Sequence, residues 1–231
     1  MTTMTTSACI AASDSGTAEP ERPPAGQNLR NVALPLRLLL NRGLSLAIAT
    51  VVGASGGLPR RPGTVLVISE SGETIGFNPG GPLDRAIRDL ATETLATGQD
   101  RLERLEIDED AASYIGISGG VSLDIHATRV HAGDPVFARA LRHLGGGETT
   151  VAVIGTRGIS GSAVIGTEHV TGYLGWPELP SPLVEDARSM LGSCRMVRRT
   201  YGPDGERSGA AIQVWMQGYP RERANAQPGP A

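Results

Sequence analysis

Lysine is missing altogether. All 21 basic residues of the 231-residue chain are arginine, and against 24 acidic residues they leave a net charge of −3. That balance builds no strongly basic face and argues against a nucleic-acid partner. The arginine preference itself reads as codon bias. Aromatic residues make up only 3% of the chain, so a core has to be built from Val, Ile, Leu and Ala. There are two cysteines, Cys9 and Cys194, and Cys9 lies in a polar stretch, so no disulfide framework is expected. No CxxC and no Cys/His cluster occurs, which argues against a zinc site. The four histidines, His126, His131, His143 and His169, show no helical i,i+4 pairing, so packing in the core or on the surface is expected of each, and no metal site. No apolar run reaches transmembrane length, and no basic segment leads into an apolar one at the N-terminus. A cytoplasmic protein with no membrane contact is the expectation.

What is present is an α/β pattern that repeats. Residues 1–31, rich in Thr, Ser, Ala and Pro, and residues 221–231 cannot bury enough apolar surface to offset their ordering entropy, and are expected to be disordered tails. Between them, residues 32–132 and 133–220 read as two units in the same order. The first opens with a helix over Leu34–Asn41, then an apolar, β-branched strand from Leu46 that ends at Gly53. Strands over Thr64–Ser69 and Thr74–Phe77 follow. Gly81 is placed as a helix cap, with Pro82 at the first helical position and Gly98 just past the end. Two further strands are predicted over Arg101–Ile107 and Val121–Val130. The second unit predicts a helix over Val136–Leu144, a strand from Thr150 ending at Gly155, a short strand at Val170–Tyr173, and a helix led by Ser181-Pro182-Leu183. Strands over Met196–Tyr201 and Ala211–Gln217 flank the turn Gly202-Pro203-Asp204-Gly205. The matched order, with a Pro-led helix in each half, points to duplication. The expected fold is α/β, two related units, each a small mixed sheet flanked by helices, packed as one body.

Three glycine loops could carry chemistry. The first, Gly53 to Gly63, contains Ser55, Gly56, Gly57, Arg60 and Arg61. A dinucleotide fingerprint would need a helix at once; here Pro59, Pro62 and Gly63 block one, so neither NAD nor NADP is expected. Glycine exposes backbone N–H groups and two guanidinium groups stand beside them, a combination suited to an oxyanion. The competing reading is a tight connection with solvated arginines. The second loop, Gly80-Gly81, stands at a helix N-terminus, where free N–H groups favour anions, and the third is Ser118-Gly119-Gly120.

In this order the loops resemble the XdhC/CoxI family, accessory proteins of molybdenum hydroxylases. Ala49-Thr50-Val51-Val52-Gly53, Ser55-Gly56, Pro59-Arg60, Gly63, Gly76, Gly80-Gly81 and Ser118-Gly119-Gly120 stand where the family has its ATVV strand, GSxPRxxG, SGGC and CGG motifs. In the second unit Val184-Glu185-Asp186-Ala187-Arg188 and Tyr201-Gly202-Pro203-Asp204-Gly205-Glu206-Arg207 resemble the half-domain that follows, so the resemblance runs from Leu34 to Tyr219. It implies a maturation protein that carries molybdopterin-type cofactor as cargo and acts on a molybdenum hydroxylase client or beside a full-length XdhC-like paralogue. A homodimer is left open. Two departures matter. Pro82 and Ser118 stand where the family has cysteines, so thiol chemistry is not expected; and no counterpart of the family's C-terminal Rossmann domain follows Tyr219 in this sequence. The candidate ligand-binding set is therefore Ser55, Gly56, Gly57, Arg60, Arg61, Gly80, Gly81, Ser118, Gly119 and Gly120, with no catalytic residue assigned. A second reading is an enzyme of the same stock acting on a small metabolite in a biosynthetic pathway. It lacks a nucleophile, a base or a metal set near the loops.

Overall fold

The computed structural model describes residues 28–56, 62–76, 81–107, 109, 119–207 and 211–221. The first helix, α1, spans Leu29–Asn41. Asn28 caps it by accepting a hydrogen bond from the Asn31 N–H at 3.0 Å. The helix thus begins before the expected Leu34, and residues 28–31, expected to lie in a tail, are ordered: the side chain that caps the helix is Asn28, and Pro35 lies inside it.

Ten strands follow as β1 Leu46–Ser55, β2 Val65–Ser69, β3 Thr74–Gly76, β4 Arg101–Ile107, β5 Val121–Val130, β6 Thr150–Arg157, β7 Ser162–Gly166, β8 Val170–Tyr173, β9 Met196–Tyr201 and β10 Ile212–Tyr219. Helix α2, Gly81–Thr97, lies between β3 and β4; α3, Pro135–Gly145, precedes β6; and α4, Ser181–Ser189, lies between β8 and β9. Gly81 is thus the first helical residue of α2, and Gly98 (φ +71°) ends the helix with its N–H on Thr94 O at 2.9 Å.

The strands form two sheets with the orders β3-β2-β1-β5-β4 and β8-β7-β6-β10-β9. The second order is the first with every strand replaced by its counterpart one unit on, which fits two related units. All pairings between the named strands are antiparallel, where mixed sheets were expected. The physical reason is the route of the chain. β1, β2 and β3 form a meander, and α2 then carries the chain to the far edge, where β4 turns back onto β5 beside β1. A helix between strands suggests a parallel crossover, but here it links the two edges.

β1 alternates its side chains between two cores. Ala47, Ala49 and Val51 face α2 with Leu83, Ile87 and Leu90, while Leu46 and Ile48 pack with α1. In the second sheet Val151 and Val153 face α4 with Leu183 and Ala187. The layer between the sheets is shared: Leu36 and Leu40 of α1, Ala140 and Leu144 of α3, Val65, Val164 and Tyr219 belong to one core. Val52, Ile154, Met196 and Trp215 make a second contact between the sheets. Burial on both faces explains why β1 and β6 read as continuous apolar runs although their sheets are antiparallel.

Both first strands run past the glycines expected to end them, β1 to Ser55 and β6 to Arg157. The register of β1 on β5 shifts between Val51 and Gly53, and that of β10 on β6 between Gln213 and Val214. Each shift is a bulge, and it re-aims the strand end that follows.

Candidate functional site

The pairing of β1 with β5 brings two of the three glycine loops together. Ser55 pairs with Ser122, and their hydroxyls lie 2.8 Å apart. Gly56 follows at φ +86°, and a Cβ there would stand 2.5 Å from the carbonyl oxygen of Gly120. Only glycine lets the backbones approach so closely. Gly119 also has a left-handed backbone (φ +82°), but nothing among the described residues lies within 4 Å of where its Cβ would stand. Gly81 opens α2, which packs on the outer face of this sheet. Gly57, Arg60, Arg61, Gly80 and Ser118 lie outside the described residues.

Beside this meeting point stands a polar network that neither motif announces. Asp124 of β5 accepts hydrogen bonds from Arg104 Nε of β4 and from Arg198 Nη2 of β9, each at 2.9 Å. Arg198 Nη2 also lies 3.4 Å from Val52 O. Gly53 accommodates the cluster, since a Cβ on it would come within 2.6 Å of both Arg198 Nη2 and Asp124 Oδ2. Partial burial would raise the Asp124 carboxyl, but the hydrogen bonds and charges of Arg104 and Arg198 outweigh it and hold the group below its ordinary range.

Arg198 also lines an open cleft of about 440 Å³ with Arg199, Thr200, Gln213, Asp186 and Arg207. Arg207 is held by Asp186 at 3.0 Å and by Glu185 at 3.1 Å. Burial would raise the Asp186 carboxyl; hydrogen bonds from Arg207 and Tyr201 overcome that and lower it. Tyr201 OH donates to Asp186 Oδ2 at 2.8 Å, and burial together with that bond pushes the phenol well above its usual range. The Arg199 side chain makes no hydrogen bond or ion pair among the described residues, and its charge helps to lower the Asp186 carboxyl. The cleft thus offers three guanidinium groups, two of them partly neutralised. It suits an anion with several acceptor oxygens. Cys194 is half-buried in the segment between α4 and β9 and is not among the cleft's lining residues. The arginines of β9 were missed in the sequence because Arg198-Arg199 reads as the solvated part of an edge strand. The only signal was a second Arg-Arg pair, echoing Arg60-Arg61.

A second cleft of about 350 Å³ lies where β4 and β5 meet the β6–β7 turn, lined among others by Asp100, His126, Arg157 and Gly158. Asp100 joins the units, accepting from Thr128 Oγ1 at 2.6 Å and from the Gly161 N–H at 3.2 Å. His126 is buried as one of the two expected alternatives allowed, and burial lowers its proton affinity against the opposing pull of Asp100. Gly158 (φ +72°) repeats the crowding of Gly56, for a Cβ there would stand 2.4 Å from Ala211 O.

Among the described residues no helix is long and apolar enough to cross a membrane. Residues 39–106, from the end of α1 through β4, match the sequence model of the XdhC and CoxI family. No curated protein matches the chain. Its fold is similar to the crystal structure of a xanthine dehydrogenase from Bacillus halodurans, with a TM-score of 0.52 at 16% identity, covering 83% of this chain and 54% of that one. The chain therefore spans about half the length of that structure. The match falls on the strand and the first glycine loop from which the resemblance was read, so the first unit is similar to the XdhC and CoxI family.

Proposed function

We propose that this chain is an accessory protein of molybdenum hydroxylases that holds a phosphate-bearing, molybdopterin-type cofactor for a client enzyme and does so without thiol chemistry. The family match supports the accessory role. The observation that carries the ligand class is the convergence of Gly56 on Gly120 beside Arg198, which adds a second-unit guanidinium group to two first-unit glycine loops. Backbone N–H groups and planar guanidinium forks are the donors a phosphate takes. The arginine-rich lining of the cleft supports binding and transfer of an anionic cargo.

The test is titration of the purified chain with molybdopterin cofactor released from a molybdenum hydroxylase. A guanidinium–phosphate contact contributes about 1.5–3 kcal/mol, so Arg199→Ala should weaken binding roughly ten-fold or more. Arg60→Ala should do the same, and Arg60→Lys should recover only part of it, since an ammonium cannot form the fork. The Cys9→Ser/Cys194→Ser double variant should bind as the unchanged protein does. Cofactor that does not bind, or binds equally well to both alanine variants, sinks the reading.

A further inference from the structure

Away from both clefts, three segments of the second unit bring two imidazoles and a carboxylate together. His143 sits in the last turn of α3, Glu148 follows the run Gly145-Gly146-Gly147, and His169 lies in the turn between β7 and β8. One ligand atom from each lies within 4.8 Å of the others. His143 Nδ1 is 2.9 Å from Glu148 Oε2, and His169 Nδ1 is 4.0 Å from the same oxygen. The two rings stack, with centroids 3.7 Å apart and planes 16° from parallel. Gly166 makes room for this, because a Cβ there would stand 2.1 Å from the His169 ring; its N–H closes the turn on His169 O at 2.9 Å. The backbone oxygen of Glu148 is held by Arg30.

We propose that His143, Glu148 and His169 form a binding site for a divalent transition metal, zinc being the best match. Two imidazole nitrogens and one carboxylate oxygen are a set that zinc takes with a fourth position left to water. The arrangement without metal is poorly satisfied. The Glu148 oxygen is taken up by His143 Nδ1 at 2.9 Å, and His169 Nδ1 stands 4.0 Å from it, beyond hydrogen-bond reach. His169 Nε2 is buried with no partner. A dication would take a nitrogen lone pair from each ring and the carboxylate charge at once. Ligand atoms around tetrahedral zinc stand about 3.3 Å apart, so the cluster has to contract and one ring has to turn out of the stack. The glycine run before Glu148 and the short turn carrying His169 provide that freedom. In sequence the three residues show no metal spacing, because helix end, loop and β-turn meet only in the fold.

The experiment uses the untagged full chain stripped with chelator, and its readouts are independent of any molybdopterin binding. Calorimetry with zinc chloride should give one equivalent bound, and zinc should raise the melting temperature. Cobalt(II) should develop the intense visible bands of a four-coordinate site. His143→Ala and His169→Ala should each weaken zinc binding at least ten-fold and abolish the zinc-induced rise in melting temperature. Glu148→Gln, which keeps the side-chain shape, should weaken it as well. Cobalt that keeps the weak spectrum of its aqua ion, or zinc that binds equally to His169→Ala, would overturn the proposal.

Discussion

Arg198 belongs to the second unit by sequence and to the first by contact. Its guanidinium group spans Asp124 and Val52 O, and its position is possible only because Gly53 carries no side chain. The candidate site therefore rests on single-atom tolerances, and glycines that look alike in sequence should respond differently to substitution. Gly56 and Gly119 both have left-handed backbones, at φ +86° and +82°. An alanine at either position carries the left-handed strain of about 1 kcal/mol. At Gly119 nothing among the described residues lies within 4 Å of the added methyl, so Gly119→Ala should lower stability by about that amount. At Gly56 the methyl would stand 2.5 Å from Gly120 O, a backbone atom that cannot move aside cheaply. Overpacking adds a further ~1–3 kcal/mol, so Gly56→Ala should lose roughly 3 kcal/mol in total and push the two loops apart. Urea denaturation of the two variants side by side measures the difference. Equal losses would mean that the contact between the loops is looser than described.

At the scale of elements, α1 is the part whose role differs most from its place in the chain. It opens the first unit, yet its second residue, Arg30, reaches into the second. The buried guanidinium group donates to Pro220 O, Glu148 O, Thr150 Oγ1 and Tyr219 O, and lies 5.1 Å from the centre of the Tyr219 ring. It ties the start of β6 to the end of β10. Arg30→Ala leaves buried carbonyls without a donor, each such group costing about 1–3 kcal/mol, so stability should fall by roughly 3 kcal/mol or more. A chain beginning at Val32, the boundary expected from composition, should be destabilised at least as much, and one beginning at Asn28 should melt as the full chain does. Thermal melts of the two truncations separate these outcomes. The episode shows what was legible in the sequence. Period and β-branching marked β4 at Arg101–Ile107, β5 at Val121–Val130 and β9 at Met196–Tyr201 as expected. The start of α1 was not legible, because what orders residues 28–31 is a long-range contact to a strand end far along the chain. β7, Ser162–Gly166, was missed because its short Ala163-Val164-Ile165 run is bounded by Gly161-Ser162 before it and Gly166 after it. Two of the glycine loops were legible as candidates, but their meeting depended on β1 choosing β5 as its neighbour, and local pattern carries no information on strand partners.

For the whole molecule, the question is whether two related units amount to two domains. Each unit has its own sheet and outer helix, with an outer core of Ala49, Val51, Leu83 and Leu90 in the first and Val151, Val153, Leu183 and Met216 in the second. Were these the only cores, the halves should fold apart. The middle layer argues otherwise. α1 and α3, the opening helices of the two units, pack on one another between the sheets, and Leu36, Leu144, Ile48, Ala152 and Val164 share one continuous core. Val52 and Ile154 join directly across the sheets with Trp215. Separating the halves would expose one apolar face of each sheet along with the inner sides of α1 and α3. Each fully buried Leu, Ile or Val contributes about 1.5–3 kcal/mol, and a domain's net stability is only about 5–15 kcal/mol. Exposing several such residues on each half exceeds that margin. Residues 28–132 and 133–221 expressed separately should therefore lack cooperative melting, and mixing them should restore one transition. The intact chain should melt in a single step seen alike by circular dichroism and by the fluorescence of Trp215, which lies at the contact between the sheets. Independent melting of either half would show that the middle layer is an ordinary domain interface, and the cleft that Arg198 lines would then open and close with it.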